Sequence, residues 1–344
     1  MKIRIKDIAI EAGVSPASVS NALNGKGGVS GATARRIISI AQKMGYIKNK
    51  DNSAINKYIR LVSFKRHGLV IMNTQFFAEM IEALERQCHI AGLELIVSNI
   101  HMEKDSNYLC RIQEICQEDC AGILLLATEM YPEDVEFFHQ TKAPLLVIDS
   151  LFRNKRINCV MMNNEEAGYI ATEHLIRMGH TCIHHITSRV SFNNMIYRRI
   201  GFESAMSDAK LLFDEYSIWR VTPTLEGAYQ DMSELLKNYD KKMPTAFFVA
   251  NDIMAIGCMR ALKDKGYKVP TDISIIGMDD LDICKVSTPA LSTVRVLREE
   301  IARTAIKRLL TMMETIEDSC VLKIQVDVEF VERQSVRNLI NTYN

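Results

Sequence analysis

Between Ile59 and Ile276 the sequence alternates short apolar runs with longer amphipathic segments, and this alternation constrains the fold more than any other feature. The apolar runs have the length and composition of strands, whereas the segments between them repeat apolar residues at helical spacing. Strands that alternate with helices over short loops form parallel sheets covered on both faces. About 280 residues are too many for one open sheet, so we expect an α/β body of two lobes.

The predicted strands are Ile59–Phe64, Glu94–Ser98, Gly122–Leu126, Pro144–Ile148, Cys159–Met162, Cys182–Ile186, Ala246–Val249 and Ile273–Ile276. The predicted helices of the body are Phe76–Ala91, Ser106–Gln117, Ala167–Met178, Ile196–Ala209, Gly227–Asn238 and Ile253–Lys265.

Residues 1–60 carry an excess of positive charge in a chain whose 42 basic and 42 acidic residues balance. Eleven lysines and arginines stand there against three acidic residues. A basic head on an acidic body is typical of a protein whose head meets a polyanion. The head also repeats apolar residues at helical spacing, which favours a folded unit over a solvated tail.

Helix-start and helix-stop signals in the head predict three short helices. Gly13 ends the first, because glycine adopts the left-handed turn that closes a helix. Ser15 and Pro16 begin the second, as an N-cap and a first helical residue, and Ser30 caps the third. Two helices joined by a turn of about four residues on such a core form a helix-turn-helix.

The head resembles the DNA-binding head of the LacI/GalR (lactose-repressor) family of bacterial transcription regulators. The residues that carry this resemblance are K-D-I-A-x-E-A-G-V-S (Lys6–Ser15), V-S-x-A-L-N-G (Val19–Gly25), Val29-Ser30 and Gly45-Tyr46. The body is similar to the effector-binding core of the same family over Asn163–Gly168, Thr172–His180, Arg198–Phe202, Asn251–Gly257 and Val269–Leu281.

The resemblance implies that the second helix of the head enters the major groove of double-stranded operator DNA. Asn21 on that helix suits adenine, and alanine or proline suits a thymine methyl group. Basic side chains outside the helix are candidates for phosphate contacts, although each is equally suited to a solvated surface. The predicted DNA-binding residues are Lys6, Ser15, Pro16, Ala17, Ser18, Asn21, Arg35, Arg36 and Ile55.

The expected domains are a helix-turn-helix domain over 1–47, a hinge or linker over 48–59 and an effector-binding core over 60–344. In the family the linker folds into a hinge helix on DNA, and Ile55 falls where an apolar side chain enters the minor groove. Lys48 and Asn52 replace the family's usual proline and alanine, so a flexible linker without this wedge stays an alternative.

The resemblance implies a core like that of periplasmic sugar-binding proteins, with two lobes joined by three strand crossings. We expect the first lobe to hold 60–160 and 291–320, and the second lobe to hold 161–290 and 321–344.

Polar side chains that directly follow the predicted strands mark a candidate pocket, because ligands of α/β sheets bind beyond the carboxyl ends of the strands. Asp149, Asn251 and Asp279 stand at such positions. With the resemblance, the predicted effector-binding residues are Phe76, Phe77, Asp149, Arg198, Asn251 and Asp279. Helix capping by Asn251 and a turn at Asp279 remain alternative readings.

The sequence predicts neither an enzyme nor a cofactor. His180, Cys182, His184 and His185 are of metal-ligand types, but alternate residues of a strand face opposite sides, so no metal site is expected. Cys110, Cys116 and Cys120 admit a redox sensor, with helix packing favoured.

The predicted function is that of a transcriptional repressor, acting as a homodimer on a two-fold symmetric operator and controlled by a small-molecule effector, a sugar or a sugar derivative. A binding module whose head no longer reads specific DNA is the alternative. No apolar run is long enough to span a bilayer, no secretory signal is evident, and the irregular cysteines suit a reducing compartment. We therefore expect a cytoplasmic protein with no membrane partner.

Overall fold

The computed structural model describes residues 4–23, 29–44, 58–71, 75–314 and 320–340 of the chain. These residues belong to two compact units, Met1–Lys57 and Tyr58–Asn344. The linker expected over 48–59 lies outside the described residues up to position 57. Tyr58 and Ile59 pair with Glu94 and Leu95 in a parallel ladder, so the core begins two residues earlier than expected.

The first unit contains helices α1 (Ile5–Ala12), α2 (Pro16–Leu23) and α3 (Gly31–Lys43). Their buried side chains include Ile8, Val19 and Ile37, all fully shielded from solvent. Gly13 closes α1 with a φ of 63°, and the Oγ of Ser15 accepts a hydrogen bond from the backbone N–H of Ser18 at 3.0 Å. The Ser30 hydroxyl caps α3 in the same way. The predicted helix-turn-helix head is therefore confirmed.

The second unit is built from alternating strands and helices. Its strands are β1 (Tyr58–Lys65), β2 (Glu94–His101), β3 (Gly122–Leu126), β4 (Leu145–Ile148), β5 (Cys159–Met162), β6 (Ile183–Ser188), β7 (Ile218–Val221), β8 (Ala246–Val249), β9 (Ser274–Ile276), β10 (Thr293–Val296), β11 (Lys323–Val326) and β12 (Val328–Val331). Its helices are α4 (Gln75–Ile90), α5 (Tyr108–Gln117), α6 (Asn164–Arg177), α7 (Asn193–Asp208), α8 (Leu225–Asn238), α9 (Asp252–Asp264), α10 (Ile283–Val286) and α11 (Arg298–Glu314).

Two parallel sheets form the cores of two lobes, as predicted. The sheet of the first lobe has the strand order β11-β5-β4-β3-β1-β2, and that of the second lobe has the order β7-β6-β8-β9. Strands β3, β5, β6 and β8 are buried along their whole length, because helices cover both faces of each sheet.

The third crossing between the lobes lies later in the chain than expected. Residues 321–344 were predicted in the second lobe, but Lys323–Val326 pair in parallel with Cys159–Met162 at the edge of the first sheet. The chain then continues into β12, which pairs antiparallel with β10. Residues of β11 alternate between exposed and partly buried, so this edge strand lacks the continuous apolar run by which the other strands were predicted.

Two glycines allow α6 and α7 to approach closely. A Cβ atom on Gly168 would lie 2.1 Å from the carbonyl oxygen of Arg198, and one on Gly201 would lie 1.9 Å from that of Glu165. Only glycine permits this approach, which carries Arg198 into the interior of the second unit.

Within the described ranges, no helix combines the length and the apolar character that a membrane crossing requires.

Candidate functional site

The predicted effector-binding residues lie together around one cavity between the lobes. The cavity has a volume of about 30 Å³. Its lining residues are Val70, Phe76, Phe77, Thr128, Asp149, Met162, Phe192, Asn194, Met195, Arg198, Asn251, Ile253, Asp279 and Leu281. This set contains each of the six residues that sequence reasoning selected.

Asp149 carries the polar wall on the side of the first lobe. It follows β4 in a left-handed backbone conformation, with φ at 62°. Its carboxylate accepts hydrogen bonds from the hydroxyl of Thr128 and, at 3.1 Å, from Nδ2 of Asn194 on the second lobe. Burial raises the pKa of Asp149 to about 6, although these hydrogen bonds and Arg198 oppose the shift.

Arg198 reaches the cavity from α7 with its guanidinium buried. Nε donates to Oδ1 of Asn164 at 2.9 Å, Nη1 donates to the carbonyl oxygen of Ala250 at 2.5 Å, and Nη2 lies 3.3 Å from the sulfur of Met162. Burial lowers the pKa of Arg198, and the neighbouring carboxylates oppose that change. These contacts fix the guanidinium in one orientation.

Asp279 forms the polar wall on the side of the second lobe. Its nearer carboxylate oxygen lies 3.8 Å from Nη2 of Arg198, which is an ion pair beyond hydrogen-bond distance. Its backbone φ is 117°, and its carbonyl oxygen accepts a 2.8 Å hydrogen bond from Arg298 of the first lobe. Burial raises the pKa of Asp279 to about 8 because it outweighs the attraction of Arg198.

Phenylalanine side chains supply the aromatic walls. The rings of Phe76 and Phe77 meet edge to face, with centroids 5.0 Å apart, and both side chains are buried. Phe192, the residue that precedes α7, also lines the cavity.

Asn251 caps a helix and also lines the cavity. Its Oδ1 accepts a hydrogen bond from the backbone N–H of Met254 at 2.8 Å and so caps α9, while its side chain also lines the cavity. The next residue, Asp252, is fully buried behind the cavity and accepts hydrogen bonds from the Thr293 hydroxyl and the Leu281 backbone.

Sequence reasoning missed Thr128 and Asn194, which both bind Asp149. Thr128 lies just beyond β3, so the rule that selected Asp149 beyond β4 also points to Thr128. Asn194 precedes Arg198 by one helical turn, but the predicted helix began at Ile196, three residues after the observed start at Asn193.

Three of the predicted DNA-binding residues of the head lie together. Lys6, Ser15 and Pro16 line one groove between α1 and α2. Ala17 is exposed, whereas Ser18 and Asn21 are partly exposed on α2. The guanidinium of Arg36 donates to the carbonyl oxygen of Ala12 and thereby satisfies the end of α1. The side chain of Arg35 and the whole of Ile55 lie outside the described residues.

The histidines considered as metal ligands do not converge on a common point. His185 stacks against Phe202 and Phe248, and burial lowers its pKa to about 3. Across the described part of the chain, no three His, Cys, Asp or Glu side chains are grouped so that they could hold a metal ion. Cys116 and Cys120 are buried, and burial raises the pKa of both thiols.

Two family models and several known proteins match this chain. The model for bacterial regulatory proteins of the lacI family matches residues 4–49, and that for a periplasmic binding protein-like domain matches residues 172–336. The HTH-type transcriptional repressor PurR of Actinobacillus pleuropneumoniae serotype 3 (strain JL03) is 31% identical over 343 residues, which are 97% of this chain and 98% of that protein. PurR of Haemophilus influenzae (strain ATCC 51907 / DSM 11121 / KW20 / Rd) is 28% identical over 98% of this chain and 99% of its own length.

Solved structures share the fold at lower identity. A complex of the transcriptional regulator CelR with cellobiose has a TM-score of 0.72 at 20% identity, covering 97% of this chain and 99% of that one. The lac repressor dimer bound to operator and the anti-inducer ONPF has a TM-score of 0.69 at 22% identity, covering 98% and 100%. A LacI family regulator from Enterococcus faecium with bound ribose has a TM-score of 0.68 at 23% identity, covering 81% and 99%.

Proposed function

We propose, from the premise that this chain belongs to the lacI family of bacterial regulatory proteins, that it represses transcription from operator DNA and that a small molecule between its lobes controls this binding. The observation that carries the proposal is the pairing, in one chain, of a helix-turn-helix head with a buried polar and aromatic cavity. The curated relatives, which match over nearly their whole length, are named repressors.

The head supports sequence reading through α2. Pro16 and Ala17 are exposed at the start of that helix, and Asn21 lies one turn beyond Ala17. Asparagine makes paired hydrogen bonds to adenine in the major groove. Lys6 lines the adjoining groove, which supports a role in phosphate contact, a contact that positions the head without reading sequence.

Selection of DNA fragments by the purified protein tests the proposal. We expect an enriched palindrome whose half-sites lie about one helical turn, or a multiple of it, apart. Asn21→Ala should relax the preference at one base pair of each half-site, at a cost of about 1–3 kcal/mol, whereas Lys6→Ala should weaken all sequences alike. Weak, salt-sensitive binding without an enriched sequence would favour the alternative of a binding module.

The cavity supports a sugar or a sugar derivative as effector. Carboxylates accept hydrogen bonds from hydroxyl groups, and an aromatic face covers the apolar side of a sugar ring. Cellobiose, ribose and D-xylulofuranose are bound in regulators of the same fold. A thermal-shift screen of sugars and nucleobases, followed by operator binding with each hit, identifies the effector class and the direction of its effect.

Control of DNA binding would come from the angle between the lobes. Nε2 of Gln75 donates to Asp282 across the cleft at 2.8 Å, and Asn194 donates to Asp149 on the other side. A cavity of about 30 Å³ is far smaller than the roughly 300 Å³ of the smallest usual ligand sites, so a ligand must part the lobes to enter. The effector then shifts operator binding by its differential affinity for the two lobe arrangements.

Exposed apolar surface on both lobes supports a homodimer. Ile96 and Val97 of β2 are 37% and 39% exposed at an open edge of the first sheet, and Ile90 beside them in the chain is 72% exposed. On the second lobe, Val286 is 79% exposed and adjoins a groove whose lining combines three basic residues with the apolar residues Ile256, Met259, Tyr267, Val269 and Pro289. Such an edge and such patches are usually covered by a partner.

A further inference from the structure

Acidic side chains outnumber basic ones around the cavity. Asp149 and Asp279 line it, Asp252 lies behind it, and each of the three residues is at least nine-tenths buried. Among the described lining residues, Arg198 is the one basic side chain that opposes them. A buried charge is costly unless it is paired, so this wall favours the arrival of positive charge.

The hydrogen-bond donors around the cavity are largely committed to the protein itself. Three of the five N–H donors of Arg198 are directed to Asn164, Ala250 and Met162. The Thr128 hydroxyl and the Asn194 amide both donate to Asp149. Among the described contacts of the Asp279 carboxylate, the nearest polar partner is Arg198 at 3.8 Å. Of the three acids, Asp279 is therefore the one whose carboxylate still lacks a close hydrogen-bond donor among the described residues.

A phosphorylated ligand does not fit this inventory. Arg298 is the nearest further cation, and it is held by the Asp279 carbonyl oxygen and, at 2.7 Å, by Oε2 of Glu79. A phosphate would meet carboxylates without a free basic side chain from the described lining. Aromatic rings, in contrast, attract cations, and the Phe76 ring already has the guanidinium of Arg298 over it, 5.6 Å from the ring centroid.

We infer that the effector is an amino sugar, a polyhydroxyl ring that carries a protonated amine beside Asp149 and Asp279. This inference rests on the proposed function and deepens it. The amine supplies the positive charge and donors that the carboxylates lack, while the ring hydroxyls and the apolar ring face meet Asn251 and the phenylalanines. The raised pKa of Asp279, about 8, accords with this, because burial already favours a proton there.

Matched ligands on the full chain test the inference. Calorimetry measures the affinity of each ligand at about pH 6.5, which is below the pKa of a sugar amine. The ligands are D-glucosamine, D-galactosamine and D-mannosamine. Each amine is compared with its parent hexose, its N-acetyl form and its 6-phosphate. We expect at least one amine to bind at least tenfold more tightly than its three uncharged or phosphorylated counterparts. Equal or tighter binding by a parent, an N-acetyl form or a phosphate would overturn the inference, and so would the absence of binding by all three amines.

Two further readouts separate charge recognition from a structural effect. Asp279→Asn, or Asp149→Asn if the first variant does not fold, should weaken the amine tenfold or more, while the exposed control Asp240→Asn leaves it unchanged. In buffers of different ionisation heat, amine binding to the unaltered protein should release a proton, because the cation replaces the proton of Asp279. Unchanged affinity in the carboxylate variants, or no proton release, would count against the inference. The operator selection tests the proposed function independently of either result.

Discussion

At the scale of single residues, position relative to the strands predicts the cavity well. Asp149 and Asp279 were chosen because they follow strands, and both line the cavity. Glu129 was not predicted, although its buried carboxylate accepts hydrogen bonds from the backbone N–H groups of Gly68, Val70 and Ile71 at 2.8–3.0 Å. Its partners lie about sixty residues away, and nothing local in the sequence indicates that contact.

The buried acids give the core a defined pH dependence. Asp279 faces Arg198, Asp252, Arg298 and Asp149, and burial raises its pKa above the ordinary value of 3.8 to about 8. The folded core therefore holds a proton that the unfolded chain has lost between these values. The stability that this proton contributes is complete below the lower value and is lost as pH rises through the higher one.

We expect thermal unfolding at a lower temperature at about pH 8.5 than at about pH 6, and a smaller difference between the two in Asp279→Asn. Melting curves across this range make the comparison, with Asp240→Asn as the control for loss of an exposed carboxylate. A pH dependence that Asp279→Asn leaves unaltered would contradict the assignment.

Glu129→Gln should loosen the segment from Gly68 to Ile71. An amide at this position loses the charge that strengthens these hydrogen bonds, and its N–H₂ group opposes backbone donors. We expect a loss of about 1–3 kcal/mol in the free energy of unfolding and faster hydrogen exchange at Gly68, Val70 and Ile71. The exposed neighbour Glu133→Gln is the matched control, and equal effects of the two changes would refute the role of Glu129.

At the scale of elements, helical and apolar periodicity predicted most of the body to within a few residues. Strands β3, β5 and β8 match their predicted bounds because they are fully buried apolar runs between clear turns. Strand β11 was misassigned and α11 was not identified, since partial exposure mixes polar and apolar residues along both. Edge strands are set by tertiary pairing, which local composition does not record.

The close approach of α6 and α7 at their glycines gives the prediction at the scale of elements. Gly201→Ala places a methyl group against the carbonyl oxygen of Glu165, so the helices must separate. We expect a loss of about 1–3 kcal/mol in the free energy of unfolding, measured by denaturant titration. Ser207→Ala on the exposed face of α7 is the control and should change stability by less than about 0.5 kcal/mol.

At the scale of the whole molecule, the sequence predicted the head, the two lobes and their parallel sheets, and the fold confirms all three. The hydrogen bonds across the cleft could not be predicted from the sequence. Gln75 and Asp282 are joined reciprocally, since the backbone N–H of Asp282 also donates to Oε1 of Gln75 at 3.2 Å. Such pairs arise only once two lobes have folded, so no local pattern encodes them.

The proposed homodimer gives the prediction at this scale. Val97→Asp or Val286→Asp places a charge in an apolar patch, and we expect either change to dissociate dimers and to weaken binding to a palindromic operator. Sedimentation velocity measures the first effect and DNA titration the second. Leu212→Asp, at a side chain 96% exposed elsewhere on the second lobe, is the control and should leave both unchanged.

The small size of the cavity between the lobes limits the rate at which an enclosed molecule can leave. A molecule enclosed there leaves only after the bonds across the cleft break, so its dwell time follows the rate at which the lobes part rather than free diffusion. If a metabolite occupies this cavity as proposed, gene control would outlast a brief fall in its supply. Transcription would then follow the supply averaged over the dwell time rather than each fluctuation.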